Sequence, residues 1–246
     1  MSASRASTSG RTASMLEVSD VDAYYGETQV LFDVNLNVEP GEVVSIVGRN
    51  GVGKTTTLRS ILNLAEVKDG TITFRGDDIT RMDTQDIASR GIGYAPEERD
   101  IFAGLTVREN LKMAATSMSA SRTEKRMEAV TERFPKLREL YESKGGHLSG
   151  GEQQMLTIAR ALMEDNEIIL IDEPTEGLAP RIAEDVRDAI ADLKGEKTVL
   201  LVEQSTKLVY ELSDRIYGMV DGEVVYEGTP DEAEDTGRVK ELLTIQ

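Results

Sequence analysis

The sequence predicts an α/β domain with a mostly parallel sheet at its core, an N-terminal antiparallel β subdomain and an inserted helical subdomain. Three observations carry this. Residues 42–47 (EVVSIV) are β-branched and mostly apolar, as in a strand buried on both faces. From residue 167 to 220, short apolar strands alternate with helical patterns, as crossovers in a parallel sheet require. Between these regions, residues 106–143 read as charged helix.

Taken in order, residues 1–14 (MSASRASTSGRTAS) are Ser-, Thr- and Arg-rich with no apolar centre. They read as a flexible tail and not as a secretory leader, leaving 15–246 for the folded domain. Residues 16–24 and 30–38 alternate as two antiparallel strands. Strand 42–47 leads into a glycine-rich loop and a helix over 54–64, followed by a short hairpin at 71–75 and a helix over 84–90. The helical insertion spans about 96–160, with Leu111, Met113, Ala114, Met127, Val130 and Phe134 as its apolar positions. Helix 152–164, strand 167–171, helix 181–193, strand 198–202, helix 206–212 and strand 215–220 then alternate. Residues 231–246 are acidic and then amphipathic through Val239, Leu242, Leu243 and Ile245, which predicts a terminal helix docked on the core.

Composition narrows the function. No apolar run approaches the roughly 18–20 residues needed to cross a bilayer, so a membrane role is expected to come through a partner. The absence of cysteine excludes disulfides and thiolate metal sites and fits a cytoplasmic protein. A net charge of −17 argues against binding nucleic acid through its phosphates. Such acidity also suits a halophilic source, where concentrated salt screens charge repulsion.

The local chemistry is most explicit at Gly48-Arg49-Asn50-Gly51-Val52-Gly53-Lys54-Thr55, which has the spacing G-x-x-x-x-G-K-[ST] of a P-loop NTPase. Its glycines let successive N–H groups turn toward a phosphate, and the next helix presents its positive end to the same anion. Positions 48–55 and Thr56 are therefore candidate nucleotide contacts. Lys54 would reach the β- and γ-phosphates, and the Thr55 hydroxyl would ligate Mg²⁺. A second motif, Ile168-Ile169-Leu170-Ile171-Asp172-Glu173, is a buried strand ending in two carboxylates. Asp172 can hold Mg²⁺ and Glu173 can polarise the attacking water. Acidic residues also end strands simply where the chain returns to solvent. A third motif, Leu148-Ser149-Gly150-Gly151-Glu152-Gln153-Gln154, contains an S-x-x-E capping box before a helix. It can be a cap alone, or a glycine-bared helix end that approaches a phosphate oxygen.

In this order, the three motifs resemble the ATPases of the ABC superfamily over roughly residues 15–245, LSGGEQQ being similar to the family signature. That resemblance implies two ATPase subunits paired head-to-tail, with Ser149, Gly150 and Gly151 of one contacting the γ-phosphate held by the other. It implies adenine stacking on Tyr25, with Tyr24 as the competing candidate, and docking of a permease on the helical insertion. Three positions depart from the commonest pattern. Glu97 stands where many relatives carry a Mg²⁺-contacting glutamine, Ala179 where Asp is usual, and Gln204 where a switch histidine is usual. The one histidine, His147, lies beside the signature and reads as a helix-entry residue. Gln204 can donate to the γ-phosphate but cannot take up a proton or bear a charge, which leaves Glu173 as the candidate general base, with Lys54 and Gln204 beside it.

Together, PEER, DEPTEGLAP and LVEQ resemble one ATPase subunit of branched-chain amino acid importers; the ATPase of urea or short-chain amide importers is the near neighbour. The resemblance implies a second, non-identical ATPase subunit, two transmembrane permeases and, indirectly, an extracytoplasmic solute-binding protein. The chain would then sit on the cytoplasmic face of the membrane. A soluble non-transport ABC ATPase is the competing class, disfavoured by a single phosphate loop and the acidic charge.

Overall fold

The computed structural model describes residues 14–115 and 118–244. The tail expected over residues 1–14 lies outside the described residues except for Ser14, and Ile245 lies outside them too. In chain order the first strands are β1 (Leu16–Tyr25), β2 (Thr28–Val38) and β3 (Val43–Val47), followed by helix α1 (Lys54–Ile61). Next come β4 (Glu66–Phe74), β5 (Asp77–Asp78), α2 (Thr84–Ser89) and β6 (Ile92–Ala95). Helices α3 (Val107–Met113), α4 (Ala120–Arg133), α5 (Pro135–Glu139) and α6 (Gly150–Ala161) follow. The rest is β7 (Ile168–Asp172), α7 (Pro180–Ala191), β8 (Thr198–Val202), α8 (Thr206–Leu212), β9 (Arg215–Val220), β10 (Glu223–Gly228), α9 (Pro230–Thr236) and α10 (Arg238–Thr244).

Two sheets result. The N-terminal one has the order β2-β1-β4-β5 and is antiparallel. The central one has the order β10-β9-β3-β8-β7-β6, parallel throughout except at the β10–β9 edge. Strands β3, β7 and β8 are buried at every residue because both faces are covered. Their side chains alternate between two cores. Val43, Ile169, Ile171, Val199 and Leu201 face a cluster shared with α3–α8. Val44, Ile46, Ile168, Leu170, Leu200 and Val202 face a cluster shared with the antiparallel sheet and α1.

Several boundaries differ from the sequence reading. The segment read as a hairpin at 71–75 is the end of β4, which begins at Glu66 because pairing with β1 recruits a polar stretch; Arg75 occupies the turn at φ 53°. The helix read over 54–64 stops at Ile61, and Asn63 takes a left-handed conformation at φ 55°. Helix α6 starts at Gly150 because Ser149 caps it. Strand β10 and helix α9 were not separated in the sequence. The terminal helix is docked as expected, with Val239 and Leu242 buried against Val47 and Ile216. Among the described residues no helix is long and apolar enough to cross a membrane.

Candidate active site

The phosphate loop connects β3 to α1 and is wedged against its neighbours. A Cβ on Gly48 would come within 2.5 Å of the Met219 carbonyl oxygen and 2.8 Å of the Val52 side chain. Gly53 sits at φ 108°, where a Cβ would also meet Leu31 at 2.7 Å, so conformation and crowding both require glycine. Gly53 is also the N-cap of α1, and no side chain caps that end. The first-turn N–H groups and the positive end of the helix are thus directed at whatever the loop encloses. From below, the Gly222 N–H donates to the Val52 carbonyl at 2.9 Å, and the Gly222 carbonyl accepts from Phe32 N–H at 3.0 Å. Gly222 gave no sign of this role in the sequence.

Lys54 is buried, and its ammonium lies 3.1 Å from Glu173 Oε1 while donating to the Arg49 carbonyl at 3.0 Å. Glu173, also buried, follows β7 at φ 43°, a left-handed conformation unusual for a glutamate. Such strain costs on the order of 1–3 kcal/mol and persists only where the surroundings hold it; here the Glu173 N–H donates to the Val202 carbonyl at 2.9 Å. Burial opposes the Glu173 carboxylate, but hydrogen bonding with Glu176, the Lys54 charge and the Gln204 amide together hold its pKa below the ordinary glutamate value. Glu176 is pushed up to about 7 by that same hydrogen bond with Glu173.

Asp172 is fully buried. The Thr55 hydroxyl donates to its Oδ1 at 3.0 Å and the Tyr94 hydroxyl to its Oδ2 at 3.3 Å. Burial pushes its carboxyl up to about 6 despite both bonds. Gln204 closes the site from the turn after β8: its Nε2 donates to Glu173 Oε2 at 2.6 Å and to Asn50 Oδ1 at 2.5 Å.

A cleft of about 280 Å³ brings together Asn50, Gly51, Gly53, Lys54, Thr55 and Thr56 of the loop with Glu97 and Glu173. Glu176 also lines it; its only mark in the sequence was its nearness to Glu173. Arg49 borders a separate cavity with Asn50, Gln204 and Leu243, while Gly48 and Val52 pack behind the loop. Tyr25 is 43% exposed, and its hydroxyl helps hold the charge of the Arg59 guanidinium of α1. Tyr24 instead donates to Gln29 and packs under Lys68.

The signature residues do not line this cleft. Ser149 and Glu152 form the reciprocal capping box of α6, the Ser149 hydroxyl donating to Glu152 Oε2 at 2.8 Å. The glycines permit close packing: a Cβ on Gly150 would come within 2.5 Å of Arg99 Nη1, and one on Gly151 within 2.3 Å of Ile182. His147 closes the short 3₁₀ turn Gly145–His147 that enters this helix.

A buried parallel strand, a glycine loop and a helix opening on Lys54-Thr55, opposed by the carboxylates of a neighbouring strand, define a phosphate-loop nucleotide hydrolase. The chain matches the ABC transporter family over residues 31–176. It belongs to that family and is an ATP-binding, ATP-hydrolysing subunit. It is 40% identical over 220 residues to the "probable branched-chain amino acid transport ATP-binding protein LivF" of Archaeoglobus fulgidus, covering 89% of this chain and 93% of that protein. It is 39% identical to the high-affinity branched-chain amino acid transport ATP-binding protein BraG of Pseudomonas aeruginosa, covering 87% and 93%. Identity to the lipopolysaccharide export ATP-binding protein LptB of Escherichia coli K12 is 35%, covering 89% and 92%. Among solved structures, a nucleotide-free ATP-binding cassette of an ABC transporter superposes with a TM-score of 0.81 at 28% identity, covering 93% of this chain and 98% of that one. The dimeric bacterial ABC transporter cassette MJ0796 gives 0.79 at 30% identity, covering 88% and 99%.

Proposed function

We propose that this chain energises an importer of branched-chain amino acids from the cytoplasmic face of the membrane. The observation that carries the solute class is the order of the relatives: 40% and 39% identity to the two branched-chain amino acid transport proteins, against 35% and 32% to the lipopolysaccharide export proteins. A urea or short-chain amide importer is the nearest alternative.

In this reading the phosphate loop and Lys54 hold the β- and γ-phosphates, and Tyr25 stacks on adenine. The donor set fits Mg²⁺. Thr55 and Asp172 offer hard oxygens 3.0 Å apart, and a cation would offset the buried charge of Asp172. Glu97 faces the same cleft and supplies a further carboxylate. When bound, Mg²⁺ neutralises charge on the phosphate oxygens. Glu173 takes the proton of the attacking water, and Gln204 orients that carboxylate from the loop side. Because Ser149, Gly150 and Gly151 lie outside the cleft, we assign them to a second subunit's γ-phosphate. The dimeric state of the cassette of 30% identity supports pairing of two such subunits, and we take the second subunit to be non-identical. A larger cleft of about 740 Å³ runs past Arg59, Leu64, Tyr94, Ile101, Ala114 and Arg160. It suits docking of one of two permeases, through which an extracytoplasmic binding protein acts.

The test is uptake in cells lacking this chain. Leucine, isoleucine and valine uptake should fall and return with the wild-type chain but not with Glu173→Gln. Loss of urea uptake with intact leucine uptake would overturn the assignment in favour of the alternative.

A further inference from the structure

We infer that Glu203 is a positioning residue for hydrolysis, fixing the turn after β8 so that the Gln204 amide holds Glu173 against the phosphate loop. This rests on the reading of Glu173 as general base. Glu203 is buried, directly beyond the last residue of β8, and does not line the cleft. Its Oε1 accepts the Gln204 N–H at 2.8 Å and the Ser205 N–H at 2.9 Å, and its Oε2 accepts the Thr175 hydroxyl at 2.9 Å. One carboxylate thus ties together the two turns that carry the hydrolytic groups. Thr175 lies two residues beyond Glu173, and Gln204 immediately follows Glu203.

The chemistry requires an acceptor there. All three partners are donors, and an ionised carboxylate is an acceptor-only group with two oxygens to offer. A glutamine would turn an NH₂ toward an N–H or a hydroxyl, leaving a buried donor unsatisfied. Burial pushes the Glu203 carboxyl toward its neutral form, and the three donors oppose that. The bonded N–H of Gln204 is what separates this role from general support. The Gln204 side chain spans the site from Asn50 Oδ1 to Glu173 Oε2, so its Nε2 has to face two acceptors at once. A neutral, rotatable amide has no charge to orient it, and its aim depends on the backbone that presents it. Glu203 sets that backbone.

The test is a double-mutant cycle on ATP hydrolysis, with KM for ATP and the melting temperature measured in parallel. Glu203→Gln should lower kcat by about tenfold or more, as small misplacements of catalytic groups do, with KM for ATP nearly unchanged. In a Gln204→Ala background the same substitution should change kcat by less than about twofold, because the group it aims is gone. Thr175→Val should lower kcat in the same sense and Thr175→Ser should restore it. This pair supplies the readout if Glu203→Gln fails to fold. Equal losses of kcat in both backgrounds, or no loss from Glu203→Gln, would refute the positioning role. Hydrolysis that survived Glu173→Gln would instead overturn the assignment of the base, a separate result.

Discussion

Replacing Asp172 by Asn should stabilise the nucleotide-free protein while abolishing hydrolysis. The carboxylate is fully buried, and burial pushes its pKa from 3.8 up to about 6 in spite of the hydrogen bonds from Thr55 and Tyr94. A folded-state pKa above the unfolded one means that the folded protein binds the proton more tightly. The resulting stabilisation is complete below about pH 3.8, shrinks as pH rises toward about 6, and is absent above it. That gap corresponds to roughly 3 kcal/mol, at about 1.4 kcal/mol per pH unit. Asparagine is isosteric and uncharged, so it removes the penalty. It has a single acceptor oxygen for two hydroxyl donors, however, which returns about 1 kcal/mol. The net gain at pH 8 is about 2 kcal/mol, or roughly 4–8 °C in melting temperature for a domain of this size. The assay is thermal unfolding in chelator without nucleotide, at about pH 5 and pH 8. The variant should melt above wild type at the higher pH, and the difference should narrow at the lower one. With Mg²⁺ and ATP the order should reverse, since only the carboxylate gains from the cation. A chelated variant that melted below wild type at pH 8, or a difference independent of pH, would refute the reasoning.

Three further outcomes follow from the same contacts. Lys54→Ala should destabilise the free protein by about 3 kcal/mol, because Glu173 loses the ion pair that compensates its buried charge; adding Glu173→Gln should recover most of this in denaturant titrations. Gly222→Ala should raise KM for ATP and lower the melting temperature, since φ is 87° and a Cβ would lie 2.2 Å from the Val30 carbonyl oxygen, displacing the support under Val52. If the acidic surface reflects a saline setting, unfolding temperature should climb as KCl is raised toward about 1 M, where the Debye length is near 3 Å; a flat or falling trend would remove that reading.

How much could be read in advance depended on where each element obtains its burial. Strands 198–202 and 215–220 and helix 206–212 were legible to the residue, since their apolar patterns are complete within the segment. Strand β4 was not: Glu66, Lys68 and Asp69 are exposed, and only pairing with β1 makes the stretch a strand. Strand β10 alternates exposed and half-buried residues along the sheet edge, so its sequence carries little signal.

The site divides in the same way. The phosphate loop could be read because its chemistry is contiguous, with the glycines, Lys54 and Thr55 in a single turn. The motifs also name Asp172, Glu173 and Glu97, but not the links through Glu176 and Glu203, which are made where turns distant in sequence are brought together. Gln204 shows the difference most clearly. Its place in the sequence says only that an amide capable of donating to the γ-phosphate stands where a histidine is usual. Packed between Asn50 and Glu173, its amide becomes the donor to both at once. An imidazole has its two nitrogens on opposite edges of one ring, so it could serve both acceptors only with both nitrogens protonated. The amide does so while neutral, without adding a positive charge that would compete with Lys54 for Glu173. Hydrolysis by this chain should therefore lack the alkaline fall that loss of an imidazolium would impose, and its pH profile should follow the carboxylates instead.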